Sequence, residues 1–561
     1  MPVVNFAIER LHRFLPDIDL DRVIEVLPFV GLDIEGIDSK VLRIEYNPNR
    51  PDFASDYGIV RALRGILEIE TGIPRLEINK EVKNHCVNVD KSVSDIRPYI
   101  VALIAKNGKL DNGTIMQLSA MQDDLQNGIG RVRRKASIGI HNMDPIRFPV
   151  RYSTVNENFS FIPYGQESSQ EIGSIVKTSN MGKHYGHILE GVKRYPIIVD
   201  SKDNVLAFPP LVNGNLTKIS TDTTNLFIEI TGNNIKTIED ILAILAITLY
   251  DAGFELQIVP VNNFDGNAYR PRMDVSHFDA NVSNINLLLG LDVQVCEIIG
   301  CLKKSRLDAK ETRNNQLIRC CIPRYRIDIL NYVDIAEEVA IGYGIYNLKP
   351  TMPHSRLVGQ KDMTSTYINI MRNTMVGLQM LEIVNFSLVS KKIQYSLPGI
   401  EEPEKVPSVI STKSREHEVL RDMLIPSLLK SLSRNIHEQY PQRLFEIGKI
   451  FKWGQNINEY WSLGAVVAHN AADYTEVKSI MQTLLKLSFG KSVSTEVAAH
   501  PVFINGRCAS IIVDDESVGI LGEITPFAID NFKLRVPVTA FELNISKLLR
   551  TRDEFLSQNH S

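Results

Sequence analysis

The sequence lacks any stretch that would cross a bilayer: its longest apolar run, residues 241–250, falls well short of the roughly 20 residues a spanning helix needs. Residues 1–15 carry no basic segment followed by an apolar one, so no secretion signal is read there. These absences predict a cytoplasmic protein without a membrane partner. Cysteine is scarce. Cys86, Cys296, Cys301, Cys320, Cys321 and Cys508 are the only ones, with no CxxC spacing and no histidine at zinc-ligand distance. That excludes a disulfide framework and a zinc site, and predicts buried, reduced thiols. Charge of one sign is missing as well. A net of −4 argues against a surface that holds nucleic acid indiscriminately, while leaving room for a local basic patch. Arg131, Arg133, Arg134 and Lys135 form the densest patch, which fits a solvated loop or an RNA contact. Low-complexity tracts and solenoid repeats are absent. No GxxxxGK[ST] loop occurs, and Gly128-Ile129-Gly130 lacks the third glycine and the strand of a dinucleotide loop. His184 and His187 share a helical spacing, but no third ligand stands near them.

What is present is an ordinary globular composition, 44% hydrophobic and 23% charged, spread over 561 residues. A chain of that length needs several cores. Residues 1–85 read as a small α/β unit. Within it Asn47-Pro48-Asn49-Arg50-Pro51-Asp52 forces a fixed turn, and Asp52 and Ser55 are candidate caps for a helix over 57–70. Residues 86–267 alternate strands at 99–105, 138–141, 197–200 and 227–231 with helices near 113–127 and 236–253, an α+β pattern. Residues 268–350 hold a helix over 276–289, two short strands and a helix over 333–343 closed by Gly344, a compact winged-helix-like unit. In residues 351–561, strands at 382–388, 443–451, 462–468, 509–513, 519–523 and 538–543 are interrupted by helices at 364–378, 420–435 and 474–488. Antiparallel strands flanked by helices explain that order, and the predicted class is multidomain α+β.

Asp328, Asp334, Glu337 and Glu338 are the sharpest constellation. Positions 334, 337 and 338 share one helical face, and Asp328 turns onto it from the preceding segment. Clustered carboxylates repel unless protonated or bridged by a cation, so a Mg²⁺ site is one reading. The other is a capping box, with Asp334 as the cap and Glu337 reaching back to its N–H. Ile335, Val339 and Gly342 fall on another side, which leaves the acidic face at the surface.

A second constellation follows Phe208-Pro209-Pro210, which leads into a turn at Asn213-Gly214. Phe227, Glu229 and Thr231 then share one side of a strand. A carboxylate, a hydroxyl and a ring there suit a pocket for an aromatic molecule with a polar tip; a solvent-facing strand side is the alternative.

These segments occur together, and in the order found in the β subunits of archaeal/eukaryotic-type phenylalanine–tRNA ligases, which the chain resembles over nearly its whole length. Asn49-Arg50-Pro51-Asp52 with Gly58-Ile59-Val60-Arg61 is similar to that family's N-terminal signature. Residues 135–141 and 208–232 resemble its B3/B4 editing domain, and residues 269–350 its B5 domain. Leu420-Arg421, residues 444–448, Leu521-Gly522-Glu523 and Phe541-Glu542-Leu543 resemble its class II synthetase-like core.

The resemblance implies Mg²⁺ on Asp328, Asp334, Glu337 and Glu338, with Asp334 free to cap as well. It also implies hydrolysis of tyrosine mischarged on tRNA(Phe). A pocket alone rejects an isostere bearing one extra hydroxyl by only ~10²-fold, short of the ~10⁴ that translation needs, so a second, hydrolytic sieve is useful. Glu229 would accept the tyrosine hydroxyl, with Thr231 and Asn213 lining the pocket or orienting water. No catalytic triad is implied. This is the short form, without the inserted OB-fold or the terminal RNA-binding domain of bacterial relatives, so anticodon contact is expected elsewhere in the assembly. The arginine-bearing GxGxGxxR element of class II enzymes is missing; Asn544 to Arg550 stands where it would be expected. ATP and phenylalanine should therefore bind the α subunit, with this chain as docking platform in an (αβ)₂ heterotetramer. A stand-alone aminoacyl-tRNA deacylase and a nucleic-acid-binding scaffold are the rival functions. The long last segment counts against the first, and the −4 balance against the second.

Overall fold

A computed structural model describes residues 1–549 apart from 80, 81, 83, 265, 267, 270, 271, 313–315, 354–357, 411 and 413. Arg550 lies outside the described residues. The chain divides into two compact units, Met1–Met352 and a second beginning at Pro353. Its class is mixed α+β. Among the described residues no helix is long and apolar enough to cross a membrane.

The first unit opens with a three-stranded sheet in which Val41–Tyr46 lies between Val3–Ala7 and Leu32–Ile37. Strand alternation sends Val4, Phe6, Leu42, Ile44 and Tyr46 inward. Helix Asp56–Ile66 follows the proline turn, capped by Ser55, whose hydroxyl accepts the Gly58 N–H. Asp52 is no cap. Its two oxygens take Arg50 in a fork at 2.9 Å each, because a planar guanidinium two residues away outcompetes a distant N–H. Gly58 is obligatory, since a Cβ there would lie 1.7 Å from the Asp52 carbonyl oxygen.

A five-stranded sheet forms the centre, with Leu226–Gly232 between Tyr99–Lys106 and Ala136–Asn142. One face packs Val101, Leu103, Ile228 and Ile230 against helices Asn112–Asn127 and Ile235–Asp251. On the other, Ile100, Ala102, Ile104 and Phe227 meet Tyr152, Ile198 and Leu206 of a second sheet. Burial on both faces explains why these strands read as continuous apolar runs. It also overturns the solvent-facing alternative for Leu226–Gly232, every residue of which is buried.

Beyond it, strands Ser276–Asn281, Leu317–Ile322 and Asp308–Glu311 form a small sheet beside helices Val282–Leu289, Val295–Lys304 and Tyr332–Tyr343. The helix expected over 276–289 therefore starts six residues late. Residues 276–281 pair with Leu317–Ile322, and the Asn281 side chain accepts the Ser283 N–H to begin the helix.

The second unit is a seven-stranded sheet ordered Leu381–Glu382, Gln442–Trp453, Ile457–Ala468, Val538–Asn544, Glu516–Ile524, Phe503–Val513 and Ser494–Val497. All its pairings are antiparallel except the first. Helices Met363–Gly377 and Tyr474–Phe489 cover one face, and Ile425–Arg434 the other. The strand expected over 382–388 shrinks to Leu381–Glu382 and Leu388–Val389, in different sheets. Of the cysteines, Cys296 is exposed and Cys86 half-buried, contrary to expectation; the other four are buried, and all are free thiols.

Candidate functional site

The two-sheet packing leaves a cavity of about 370 Å³ between strand Leu226–Gly232 and the segment around Pro209 and Pro210. Ile140, Phe208, Leu211, Asn213 and Glu229 are among its lining residues. Glu229 is 2% exposed, and His141, brought alongside by strand pairing, is wholly buried. Their nearest atoms, Glu229 Oε1 and His141 Nε2, are 3.9 Å apart. Gly139 makes room for both: a Cβ there would sit 2.3 Å from Glu229 Oε1 and 2.6 Å from His141 Nε2. Across the ring, His141 Nδ1 shares a 2.8 Å hydrogen bond with the Thr217 hydroxyl. Glu229 Oε2 and His141 Nε2 have no hydrogen-bond partner among the described residues. Buried groups left so are costly, and a ligand hydroxyl or a water would satisfy them.

Asn213 lines this cavity as expected, but from a short strand paired with Ala207 rather than from a turn. Gly214 serves close approach: its Cβ would lie 2.2 Å from the Val205 carbonyl oxygen. Thr231 is not among the lining residues. Its hydroxyl accepts a 2.9 Å hydrogen bond from Arg97 Nε, and its carbonyl accepts from Nη2 at 2.7 Å. Arg97 also donates to Ser137 and to the Arg133 carbonyl. Burial pushes its guanidinium down to about 10, against the pull of Tyr152 and Glu229.

The basic cluster splits. Arg131, Arg134 and Lys135 are exposed, whereas Arg133 is buried against the Tyr185 ring and donates to the carbonyls of Pro210 and Leu211 at 3.1 and 3.0 Å. Arg131, Val132 and Arg133 all have positive φ, so this turn is strained to aim one guanidinium inward. His141, Gly139, Arg97 and Arg133 were not identified as site residues from sequence. A histidine and a glycine inside the apolar run at 136–142 were the available signal.

The acidic quartet occupies a second location. Asn331, not Asp334, caps helix Tyr332–Tyr343, and Asp334 is the residue that reaches back. Asp334 Oδ2 accepts the N–H groups of Leu330 and Asn331 at 2.7 and 2.8 Å, which leaves Oδ1 outside the box. The helix starts early because extended Asn331 accepts the Val333 N–H. Glu338, expected at the surface, is buried and paired with Arg326, with Arg50 3.5 Å away. Asp328 takes the fork of Arg326 at 3.0 and 2.7 Å. Glu337 is exposed, and its carboxyl is pushed up by partial burial, then by Glu338, Asp334 and Asp328. Carboxylate oxygens suit a divalent cation in chemistry, but Arg326 already neutralises Asp328 and Glu338, so Glu337 and Asp334 Oδ1 are what the quartet leaves open toward one. As arranged, no three His, Cys, Asp or Glu side chains close on a common point among the described residues. His184 and His187 assemble nothing either: His184 Nδ1 bonds the Asn180 carbonyl.

In the second unit, Arg421, Glu446 and Glu542, singled out near its sheet, are internal. Arg421 and Glu446 form a buried 2.6 Å ion pair. Glu542 accepts the N–H groups of Leu424 and Ile425 at 2.8 and 3.1 Å, and the Ser462 hydroxyl at 2.9 Å. Burial still pushes its carboxyl up to about 7.

Comparison with known proteins shows what the chain is similar to. The family model described as "Phenylalanyl tRNA synthetase beta chain CLM domain" matches residues 348–545, and "tRNA synthetase B5 domain" matches residues 278–345. A phenylalanine–tRNA ligase β subunit of Archaeoglobus fulgidus is 36% identical, over 98% of this chain and 99% of its own. The β subunit of Methanosphaera stadtmanae is 34% identical, over 98% of this chain and all of its own. Among solved structures, an N-terminal fragment of the phenylalanyl-tRNA synthetase β subunit from Pyrococcus horikoshii superposes with a TM-score of 0.58 at 28% identity, over 61% of this chain and 99% of the fragment.

Proposed function

This chain belongs to the phenylalanine–tRNA ligase β subunits, a membership that implies an α partner and tRNA, and from that premise we propose that its own chemistry is hydrolysis of tyrosine mischarged on tRNA(Phe), in the cavity floored by Glu229. The observation that carries this is the buried, unpartnered Glu229 Oε2 on the cavity lining, with the unpartnered His141 Nε2 directly behind it. A tyrosine ring would lie against Phe208, Ile140 and Leu211 while its hydroxyl donates to Glu229. Phenylalanine would fill the same volume and leave that carboxylate without a partner. A site built to bond a hydroxyl rejects the analogue lacking it far more strongly than an apolar pocket rejects the reverse.

Asn213 would orient the attacking water. Thr231 is a positioning residue acting through Arg97, and no covalent nucleophile is assigned. ATP and phenylalanine would be handled by the α subunit, with the seven-stranded, class II-like unit of this chain serving assembly of an (αβ)₂ heterotetramer in the cytoplasm. Residues 268–350 would form the winged-helix-like B5 unit. Asp328, Asp334, Glu337 and Glu338 would hold Mg²⁺, which would add to the charge compensation that Arg326 and Arg50 already give Asp328 and Glu338.

The test is deacylation of tyrosyl-tRNA(Phe) by the assembled ligase carrying Glu229→Ala. Loss of hydrolysis with phenylalanine charging intact supports the reading; undiminished hydrolysis ends it.

A further inference from the structure

Arg61, singled out with Gly58 in the N-terminal segment, takes no part in the chemistry above. It borders a separate cavity of about 300 Å³ in the first unit. Arg61, Arg64, Arg75 and Arg306 line it, opposed by only two carboxylates, Glu70 and Asp251. Asp251, at the end of helix Ile235–Asp251, accepts Arg61 Nε at 2.7 Å. Glu70 is shared, with Arg306 Nη2 at 3.0 Å and Arg64 Nη1 at 3.8 Å. Arg75 is exposed and has no carboxylate partner among the described residues.

A purely architectural role for these arginines, tying helix Asp56–Ile66 to its neighbours, would satisfy their nitrogens. It does not. Arg61 Nη1, Arg61 Nη2 and Arg306 Nε are buried without a hydrogen-bond partner among the described residues, although both side chains are only 4% exposed. The Tyr325 ring 4.6 Å from the Arg61 guanidinium offsets part of that cost, but accepts no hydrogen bond in its plane. A water-sized void of about 20 Å³ also borders Arg61 and Arg306. One water there accepts two hydrogen bonds at most, fewer than the open donors require. Asp251 reaches the surface, its side chain 24% exposed, and the buried Asp52, already forked by Arg50, is the other anion acting on Arg61, from the side of the small void.

We propose that this cavity is an anion site for a phosphate ester, contacted by Arg61, Arg64, Arg75 and Arg306. The surplus of two positive charges matches a phosphomonoester dianion, or two successive phosphodiesters of an RNA strand, better than a single carboxylate. Guanidinium forks are the side chains suited to such oxygens. The proposal is independent of hydrolysis at Glu229, and Arg75→Gln is expected to leave that reaction unchanged.

The experiment titrates inorganic phosphate, AMP and a short mixed-sequence RNA into the ligase assembled with its α partner, by calorimetry at an ionic strength held constant with sodium chloride. Wild type is compared with Arg64→Gln, Arg75→Gln and, as a remote control, Arg22→Gln. Binding of at least one probe that weakens about tenfold in each of the first two variants, and not in the control, supports the site. Weakening confined to the RNA arm assigns the site to an RNA backbone, and weakening for phosphate or AMP to a small phosphorylated molecule. Binding that all three variants leave unchanged, or heat no different from added chloride, overturns it. Arg75 is exposed, so its variant keeps the test valid should Arg64→Gln lower stability.

Discussion

Glu229 and His141 face each other at 3.9 Å across the space that a side chain on Gly139 would fill. Strand pairing sets this relation, because Glu229 lies opposite Gly139 in register and His141 is two residues further along the same face.

Replacing Gly139 with alanine is therefore expected to act twice. The new methyl group meets the Glu229 carboxylate and the His141 ring in a buried strand, so stability should fall by about 1–3 kcal/mol. Tyrosyl-tRNA hydrolysis should be lost even at temperatures where the fold persists. Urea melts beside deacylation assays measure both; hydrolysis at the wild-type rate would show that the cavity floor is not the site.

Glu229→Gln keeps the shape and removes the charge. Since a hydrogen bond to a charged group is worth about 1.5–3 kcal/mol, deacylation is expected to fall roughly tenfold to a hundredfold, with charging of phenylalanine unaltered.

Thr231→Val deletes the acceptor for Arg97 Nε. Leaving that buried donor open should cost about 1–3 kcal/mol, and Thr231→Ser should restore it. Hydrolysis is expected to drop in kcat more than to rise in KM, as befits a residue one step removed from the substrate.

Asp334 and Glu337 separate capping from metal binding. Asp334→Ala should lower the melting temperature with or without chelator, by the equivalent of about 1 kcal/mol, because its capping bonds need no cation. Glu337→Gln should weaken Mg²⁺ affinity while leaving the metal-free protein no less stable, because it also relieves the crowding that raises this carboxyl. Stabilisation by Mg²⁺ should fade as pH drops, since the raised Glu337 carboxyl then takes a proton. A melting temperature indifferent to chelator and Mg²⁺ in the wild-type ligase would remove the metal from this site.

Glu542 sets a pH dependence of stability in the second unit. Its folded carboxyl stands at about 7 against an ordinary 4.5, so its protonated form favours the fold. That contribution is complete below about pH 4.5 and is lost as pH rises through about 7, by at most about 3 kcal/mol. Glu542→Gln should flatten this slope and be the more stable protein at pH 8, as denaturant titrations across pH would record.

Periodicity made the long elements legible. Strand Gln442–Trp453 and helices Asn112–Asn127 and Tyr474–Phe489 fall where their patterns place them to within a few residues. Residues 276–289 misled because a strand runs directly into a helix there, and a joint sealed by one asparagine has no periodicity of its own. Of the candidate site, Glu229 and Asn213 were recoverable because each lies within a local motif. His141 and Arg97 were not, since the reason for each is a partner brought close by sheet pairing rather than by spacing along the chain. The surface placement expected of the quartet failed at Glu338: Arg326 and Arg50, which draw it into the interior, compete for carboxylates that spacing alone leaves facing water.

Strand Leu226–Gly232 is sealed on both sides, by helices on one and by a second sheet on the other. A loop-borne site can be loosened or retuned while its scaffold stands. Here the floor of the cavity is also the middle of the scaffold, so under the proposed function hydrolysis of mischarged tRNA and the folding of this half would share a single thermal limit. Heat or mutation that loosens this half of the protein would then be expected to release mischarged tRNA before charging itself falls.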